Sequence, residues 1–342
     1  MLYSQTPDFM SFVKEKDNSK EYLQMDEIMK KLFTLSNKIP IIDFLNAIYG
    51  DDLSYDAKIT YNNTEIVNSN IFLAQFKTFR ADMFINAIYK DKTFEYAIEF
   101  QTAFDKDIAI RIFRYSFERA IRLDYYRNKN LVRLQFPEPY IILLEEERNV
   151  SDELTLELLI PKGQAVRFNV KILKYWNYNL DKLYRENKYL LYPLQVFKLR
   201  KEMESLRAKG IEGTVMEKLK EKLKYTIEET LKAIDKAYED GKIELTDYDE
   251  MITILINLNS YLLRSYKIKG EIEEEVARMI KTFYDPKVEE RGIEKGIEQG
   301  IKLIATNMIK DGESNEKINR YTGLDEKVIM ELRKLIEGKG EH

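Results

Sequence analysis

The chain of 342 residues is 44% hydrophobic and 33% charged with a net charge of −4, a globular composition without the basic balance common in nucleic-acid-binding proteins. It has no cysteine and its one histidine is the terminal His342, so disulfides, thiolate chemistry, Ser-His-Asp hydrolysis and histidine-ligated metals drop out. Any metal has to sit on Asp and Glu oxygens, which favours magnesium, manganese or calcium.

No run approaches the roughly 18 to 20 apolar residues of a membrane span, and Met1 to Lys20 lacks the basic start and apolar centre of a secretory signal. The expectation is a cytoplasmic protein without membrane partners. In chain order, Ile28, Leu32 and Leu35 and then Ile41, Phe44, Leu45 and Ile48 fall at helical spacing, with Pro40 opening the second helix. After Gly50, Tyr55, Ala57, Ile59 and Tyr61 alternate with polar residues, as in a half-buried strand. Two β-prone runs, FRADMFINAIY and FEYAIEFQ, flank the polar connection Lys90-Asp91-Lys92-Thr93 and predict a hairpin.

Residues 107–126 turn helical again. PYIILLEE then predicts a strand buried on both faces, and ELLIPKGQAVRFNVKIL a strand pair turning near Pro161 to Gln164. Mixed helices and strands of this kind predict an α/β (α+β) domain over 1–200. The Lys, Glu and Leu-rich segment 201–286 predicts an all-helical extension. Over 287–342, Gly292, Gly296 and Gly300 line one stripe of a helix, and two short helices follow around Thr322-Gly323, in the outline of a helix-turn-helix or of a plain helical hairpin. The C-terminal helices are the expected seat of a homo-oligomer, most simply a dimer.

The chemistry is concentrated in the hairpin. With its tip at Asp91-Lys92, Asp82 lies opposite Gln101 and Phe84 opposite Glu99. Period-two alternation then puts Asp82, Phe84, Ala97, Glu99 and Gln101 on one face, and Met83, Ile85, Ile98 and Phe100 on the other. Two carboxylates and an amide so placed can grip one cation, and a carboxylate-held divalent ion can activate water and neutralise phosphoryl charge without a histidine. The same residues also suit the solvated face of an ordinary hairpin. Glu65, on the preceding strand, is either an additional acid or a solvent-facing residue.

On the following helix Arg111, Tyr115 and Arg122 lie within about 40° of one another, while Phe113, Phe117, Ala120 and Ile121 point the other way. The expectation is that the second group packs and the first presents cations to DNA phosphates, or is simply solvated. Between Lys106 and Arg133 eight basic residues stand against three acidic ones, the strongest basic stretch beside the hairpin.

Arg80-Ala81-Asp82, Glu99-Phe100-Gln101, Arg111 with Tyr115, the upstream KKLFTLSNKIPIIDFLNAIYG, the later RLQFPEPYIILLEEE and the tail GIEKGIEQGIKLIATNMIKDGESNEKINRYTGLDEKVI together resemble the recombination-promoting nuclease family, which also carries a transposase label and belongs to the PD-(D/E)xK nucleases. The resemblance implies a restriction-endonuclease-like mixed sheet flanked by helices, Mg2+ (or Mn2+) on Asp82 and Glu99, and Gln101 in the place of the usual lysine. It also implies a DNA endonuclease of little sequence specificity, linked to recombination or mobile DNA. An amide cannot serve as a cation or proton shuttle, so the metal or another basic residue must carry more of the charge. The alternative is a catalytically weak assembly protein that works through its C-terminal helices.

Overall fold

The computed structural model describes residues 25–62, 65–66, 79–80, 83–105, 107–122, 130–161, 163, 165–209, 214–266 and 270–337. By its internal contacts the chain divides into two units, 1–277 and 278–342.

Among the described residues the first unit begins with α1 (Met25–Phe33) and α2 (Ile39–Tyr49). Pro40 sits in the first turn of α2, where its missing N–H costs no hydrogen bond. Gly50 ends that helix at φ 78°, a left-handed conformation that glycine adopts without strain, and its N–H returns to the Asn46 carbonyl. The strands are β1 (Lys58–Asn62), β2 (Glu65–Ile66), β3 (Phe79–Arg80), β4 (Met83–Tyr89), β5 (Lys92–Gln101), β6 (Glu138–Leu143), β7 (Glu153–Leu158) and β8 (Val166–Lys174), with α3 (Ile108–Arg122) between β5 and β6. Six of them form one mixed sheet in the order β1-β4-β5-β6-β8-β7, and β2 and β3 pair separately. The β1-β4, β4-β5 and β7-β8 pairs are antiparallel, while β5-β6 and β6-β8 are parallel.

The β4-β5 turn departs from the sequence expectation. Lys90 and Asp91 have φ of 48° and 59°, the two successive positive values of a two-residue primed turn, so Lys90-Asp91 and not Asp91-Lys92 is the tip. Tyr89 pairs with Lys92 and Phe84 with Ala97, where Glu99 was expected opposite Phe84. The register moves by two residues, so side-chain parity survives. Phe84, Ala97, Glu99 and Gln101 still share one face.

That face packs under α3. Phe84, Ala97, Ile108, Ile112, Tyr115, Ile141, Leu143, Val170 and Ile172 form one buried cluster between helix and sheet. The opposite face carries Tyr96, Ile98 and Phe100 toward α1 and α2, where the Phe33 ring meets Phe44 at 5.2 Å and Phe100 at 5.0 Å, and Tyr49 meets Tyr96 at 4.4 Å. Each fully buried side chain of this size contributes roughly 1.5 to 3 kcal/mol. The Tyr96 hydroxyl donates to Asp51 across 2.6 Å, and burial together with that bond raises it above the ordinary tyrosine range.

Beyond β8 a short 310 turn (Tyr175–Asn177), α4 (Leu180–Arg185) and a 310 stretch (Tyr189–Leu199) lead into α5 (Arg200–Lys209), α6 (Thr214–Glu239) and α7 (Leu245–Ser265). Both α6 and α7 pack on 189–199, and α7 also packs on α1. These helices therefore belong to the same unit as the sheet. Helix α8 (Gly270–Lys310) carries the unit boundary. In the second unit α9 (Asn315–Thr322) and α10 (Glu326–Glu337) meet at Gly323, φ 71°, around a core of Ala305, Ile309, Ile318 and Ile329. Ser314 caps α9 by accepting the Lys317 N–H.

Among the described residues no helix is long and apolar enough to cross a membrane.

Candidate active site under helix α3

Alternation along β5 directs Glu95, Glu99 and Gln101 toward α3, and the 3.6-residue period of α3 brings Arg111, Tyr115 and Arg119 down on them. Glu99 is buried at 6% exposure. Its Oε2 accepts the Tyr115 hydroxyl at 2.8 Å and its Oε1 accepts Gln101 Nε2 at 3.0 Å, with Arg111 Nη2 3.8 Å from Oε1. Arg111 also lies 3.5 Å from Asp105 Oδ2, in the connection between β5 and α3, and its side chain is 47% exposed. A carboxylate, an amide, a phenol and a guanidinium thus meet at one end of β5. The guanidinium is the member that faces solvent.

Four of the residues singled out in the sequence, Glu99, Gln101, Arg111 and Tyr115, are brought together here. Asp82 lies outside the described residues. Glu65 is in β2, paired through the backbone with Arg80 of the small second sheet, and its side chain lies outside the description. Arg122 is exposed in the last turn of α3.

The division of α3 into a packing and a cationic side agrees with the structure at Ala120, which is buried, and at Arg111 and Arg122, which are exposed, and is corrected at Tyr115, Phe117 and Ile121. Tyr115 is buried at 3% exposure, in the sector of Ile108, Ile112 and Ser116 that faces the sheet, while Phe117 and Ile121 are each 39% exposed. Angular spacing groups residues into sectors but does not say which sector meets the sheet. A hydroxyl that can pair with a buried carboxylate lets tyrosine take the inner position.

The sequence pattern did not single out Glu95 and Arg119. Arg119 grips the buried Glu95 with Nη2 at 3.1 Å from Oε2 and Nε at 3.3 Å, Asn86 from β4 donates to Oε1, and the guanidinium lies 5.6 Å from the Phe84 ring centroid. The signal was present: Glu95 shares the parity of Glu99, and Arg119 follows Tyr115 by four residues.

The chain matches no protein-family model, no curated protein and no solved structure.

A buried carboxylate beside an amide offers the oxygen ligands that a hard cation takes. Among the described residues there is no group of three or more acidic side chains that could hold a metal ion, and both Glu99 oxygens already accept protein donors. At this end of β5 the described residues thus place one buried carboxylate, Glu99, whose two oxygens face Gln101 and Tyr115.

Proposed function

We propose that the protein is a magnesium-dependent DNA endonuclease, cytoplasmic and of low sequence specificity, with Asp82, Glu99 and Gln101 as its reaction centre. The observation that carries the reading is the convergence of Glu99, Gln101, Arg111 and Tyr115, contributed by a strand and by the helix after it, at one end of a mixed sheet. These are residues through which the sequence resembles the recombination-promoting nucleases. A six-stranded mixed sheet with helices on both faces is compatible with the restriction-endonuclease-like fold which that resemblance implies.

In this reading Asp82, the residue before β4, and Glu99 hold the cation, which when bound would lower the pKa of water and offset charge on the phosphate. Tyr115 fixes the rotamer of Glu99 by donating to one oxygen. Gln101 holds the other oxygen and presents its amide to the same space. Arg111, the exposed cation of the group, binds a phosphate oxygen next to the scissile bond. Arg122 contacts the DNA backbone further along, and the C-terminal helices join two copies.

A second reading is favoured by one observation, that both oxygens of Glu99 are already engaged. In it the carboxylate is structural and the chain is an assembly protein. Nicking of supercoiled plasmid by the purified protein with magnesium or with EDTA separates the two. Nicking that requires the metal and disappears in both Asp82→Asn and Glu99→Gln supports the nuclease, and absence of nicking supports the assembly protein.

A further inference from the structure

A cavity of about 290 Å³ opens at the carboxyl ends of the parallel strands β5 and β6, the end of an open sheet at which ligands bind. The strands hold its base in place beyond their last residues, since Leu144 N–H donates to the Gln101 carbonyl at 2.9 Å and Glu145 N–H to the Thr102 carbonyl at 3.1 Å. Its floor is apolar and buried, formed by Met29 of α1, Leu144 and Phe197. Tyr261 of α7 and Met25 of α1, both half-buried, stand at its mouth. Gln101, Thr102 and Arg200 supply the polar part of the wall.

The charge of the lining is balanced. Arg200 is its one ionised side chain among the described residues, and Arg200 Nη1 is paired with Glu145 Oε1. An anion gains nothing from a guanidinium already held by a carboxylate. A wholly apolar side chain from a protein partner fits poorly as well, because it would cover Gln101 and Thr102 without returning their hydrogen bonds. An uncharged flat ring with a polar edge satisfies both parts of the wall. The volume, near the lower end of small-ligand pockets at roughly 300 Å³, suits one ring system.

Gln101 decides which ring. It borders the cavity and through Nε2 donates to Oε1 of Glu99 at 3.0 Å, so the cavity and the candidate reaction centre are one side chain apart. A nucleotide whose phosphate lies beside Glu99 has its base within reach of the cavity. Pockets that take a base out of the stack read it in this manner, with aromatic or apolar side chains on its faces and polar groups at its edge.

We propose that the cavity receives one unpaired nucleobase of the strand held at Glu99, with its face on Tyr261 and its edge toward Gln101 and Thr102. The inference rests on the nuclease reading and adds that the substrate is a strand with a base free to leave the helix.

The test uses the full chain with calcium in place of magnesium and measures fluorescence anisotropy of two labelled strands of equal length, oligothymidylate and the same backbone with abasic sugars. Both carry the same phosphates, so their difference reads the bases alone. The expected result is that the parent chain binds oligothymidylate roughly 5- to 100-fold more tightly, the range for stacking one base. Tyr261→Leu, which removes the ring, and Leu144→Phe, which fills the cavity from its floor, should each erase most of that preference and leave the abasic affinity unchanged. Tyr261→Phe should retain it. Thermal unfolding identifies which variants keep the fold. Equal binding of the two strands by the parent, or a preference that survives in a folded Tyr261→Leu or Leu144→Phe chain, would overturn the proposal. Plasmid nicking in magnesium is scored separately. A preference that depends on Tyr261 without any nicking by the parent removes the nuclease reading and leaves the base pocket, whereas nicking with a preference indifferent to Tyr261 and Leu144 removes the pocket alone.

Discussion

The Tyr115 hydroxyl donates to Oε2 of Glu99 across 2.8 Å, and both side chains are buried between α3 and β5. Helix and strand are therefore joined by a charge-assisted hydrogen bond in a space that water enters poorly, where such a bond is worth more than at the surface. Tyr115→Phe keeps the ring against Phe84 and removes only the hydroxyl. The expected cost is about 1.5 to 3 kcal/mol, the range for hydrogen bonds to charged groups. Urea unfolding should show a lower midpoint with an unchanged slope. An unchanged midpoint would mean that the bond adds nothing to stability.

The neighbouring Glu95 and Arg119 pair predicts a larger loss. Glu95 has 2% of its side chain exposed and Arg119 15%, so Arg119→Met leaves a buried carboxylate that, among the described residues, keeps Asn86 as its hydrogen-bond donor, at an expected cost of about 3 to 5 kcal/mol. Replacing both residues by methionine should recover most of that loss, because no uncompensated charge remains. A double-mutant cycle by chemical denaturation measures the coupling. Additive losses from the two single changes would show that the pair does not act as a unit.

The turn offers a test of the register. Lys90 and Asp91 both hold positive φ, which costs most side chains roughly 1 to 2 kcal/mol. Asn at 90 with Gly at 91 suits such a turn best. Lys90→Asn with Asp91→Gly should raise the unfolding midpoint, by about 1 kcal/mol in free energy. The same dipeptide placed at Asp91 and Lys92, the tip expected from sequence, should be neutral or destabilising, since Lys92 belongs to the ladder opposite Tyr89. The opposite ranking would move the tip back.

The shared face of Phe84, Ala97, Glu99 and Gln101 was legible because alternation over a hairpin fixes parity, and a register error of two residues leaves parity alone. The tip itself was not legible, since Lys90, Asp91, Lys92 and Thr93 are all polar and only the backbone dihedrals separate the two placements. Strand β6 was readable from its unbroken apolar run, which a strand covered on both faces requires: Ile141 and Leu143 are buried in the cluster under α3 and Ile142, on the alternate face, is buried as well. The orientation of α3 was not readable, because the helix is apolar or aromatic in two sectors. The tertiary partner, the carboxylate of Glu99, selects the sector of Tyr115 for the inside. The packing of α6 and α7 onto 189–199 was also hidden, since it joins segments far apart in the chain and a helical period does not announce it.

If Arg111 and Arg122 bind phosphates, replacing both by Gln should weaken DNA binding about equally for all sequences, and the dependence of log affinity on log salt should flatten by about one unit for each phosphate no longer bound. Arg111 stands 3.8 Å from Glu99, so Arg111→Gln should in addition slow the chemical step at saturating DNA. Arg122→Gln should change binding alone. Isotherms at several salt concentrations with calcium in place of magnesium provide the first measurement, and single-turnover cleavage the second. Superimposable isotherms would take both arginines out of the DNA contact.

The reaction centre stands or falls on the rate of magnesium-dependent plasmid nicking by Glu99→Gln beside the unaltered protein. Glutamine preserves the shape of the side chain and an oxygen to accept the Tyr115 hydroxyl, so the fold is retained while the ligand charge is removed. The expected result is nicking by the parent chain in magnesium, none in EDTA, and a fall of about 100-fold or more in Glu99→Gln. Nicking by Glu99→Gln at the parent rate would take Glu99 out of the reaction centre and return it to a purely structural role.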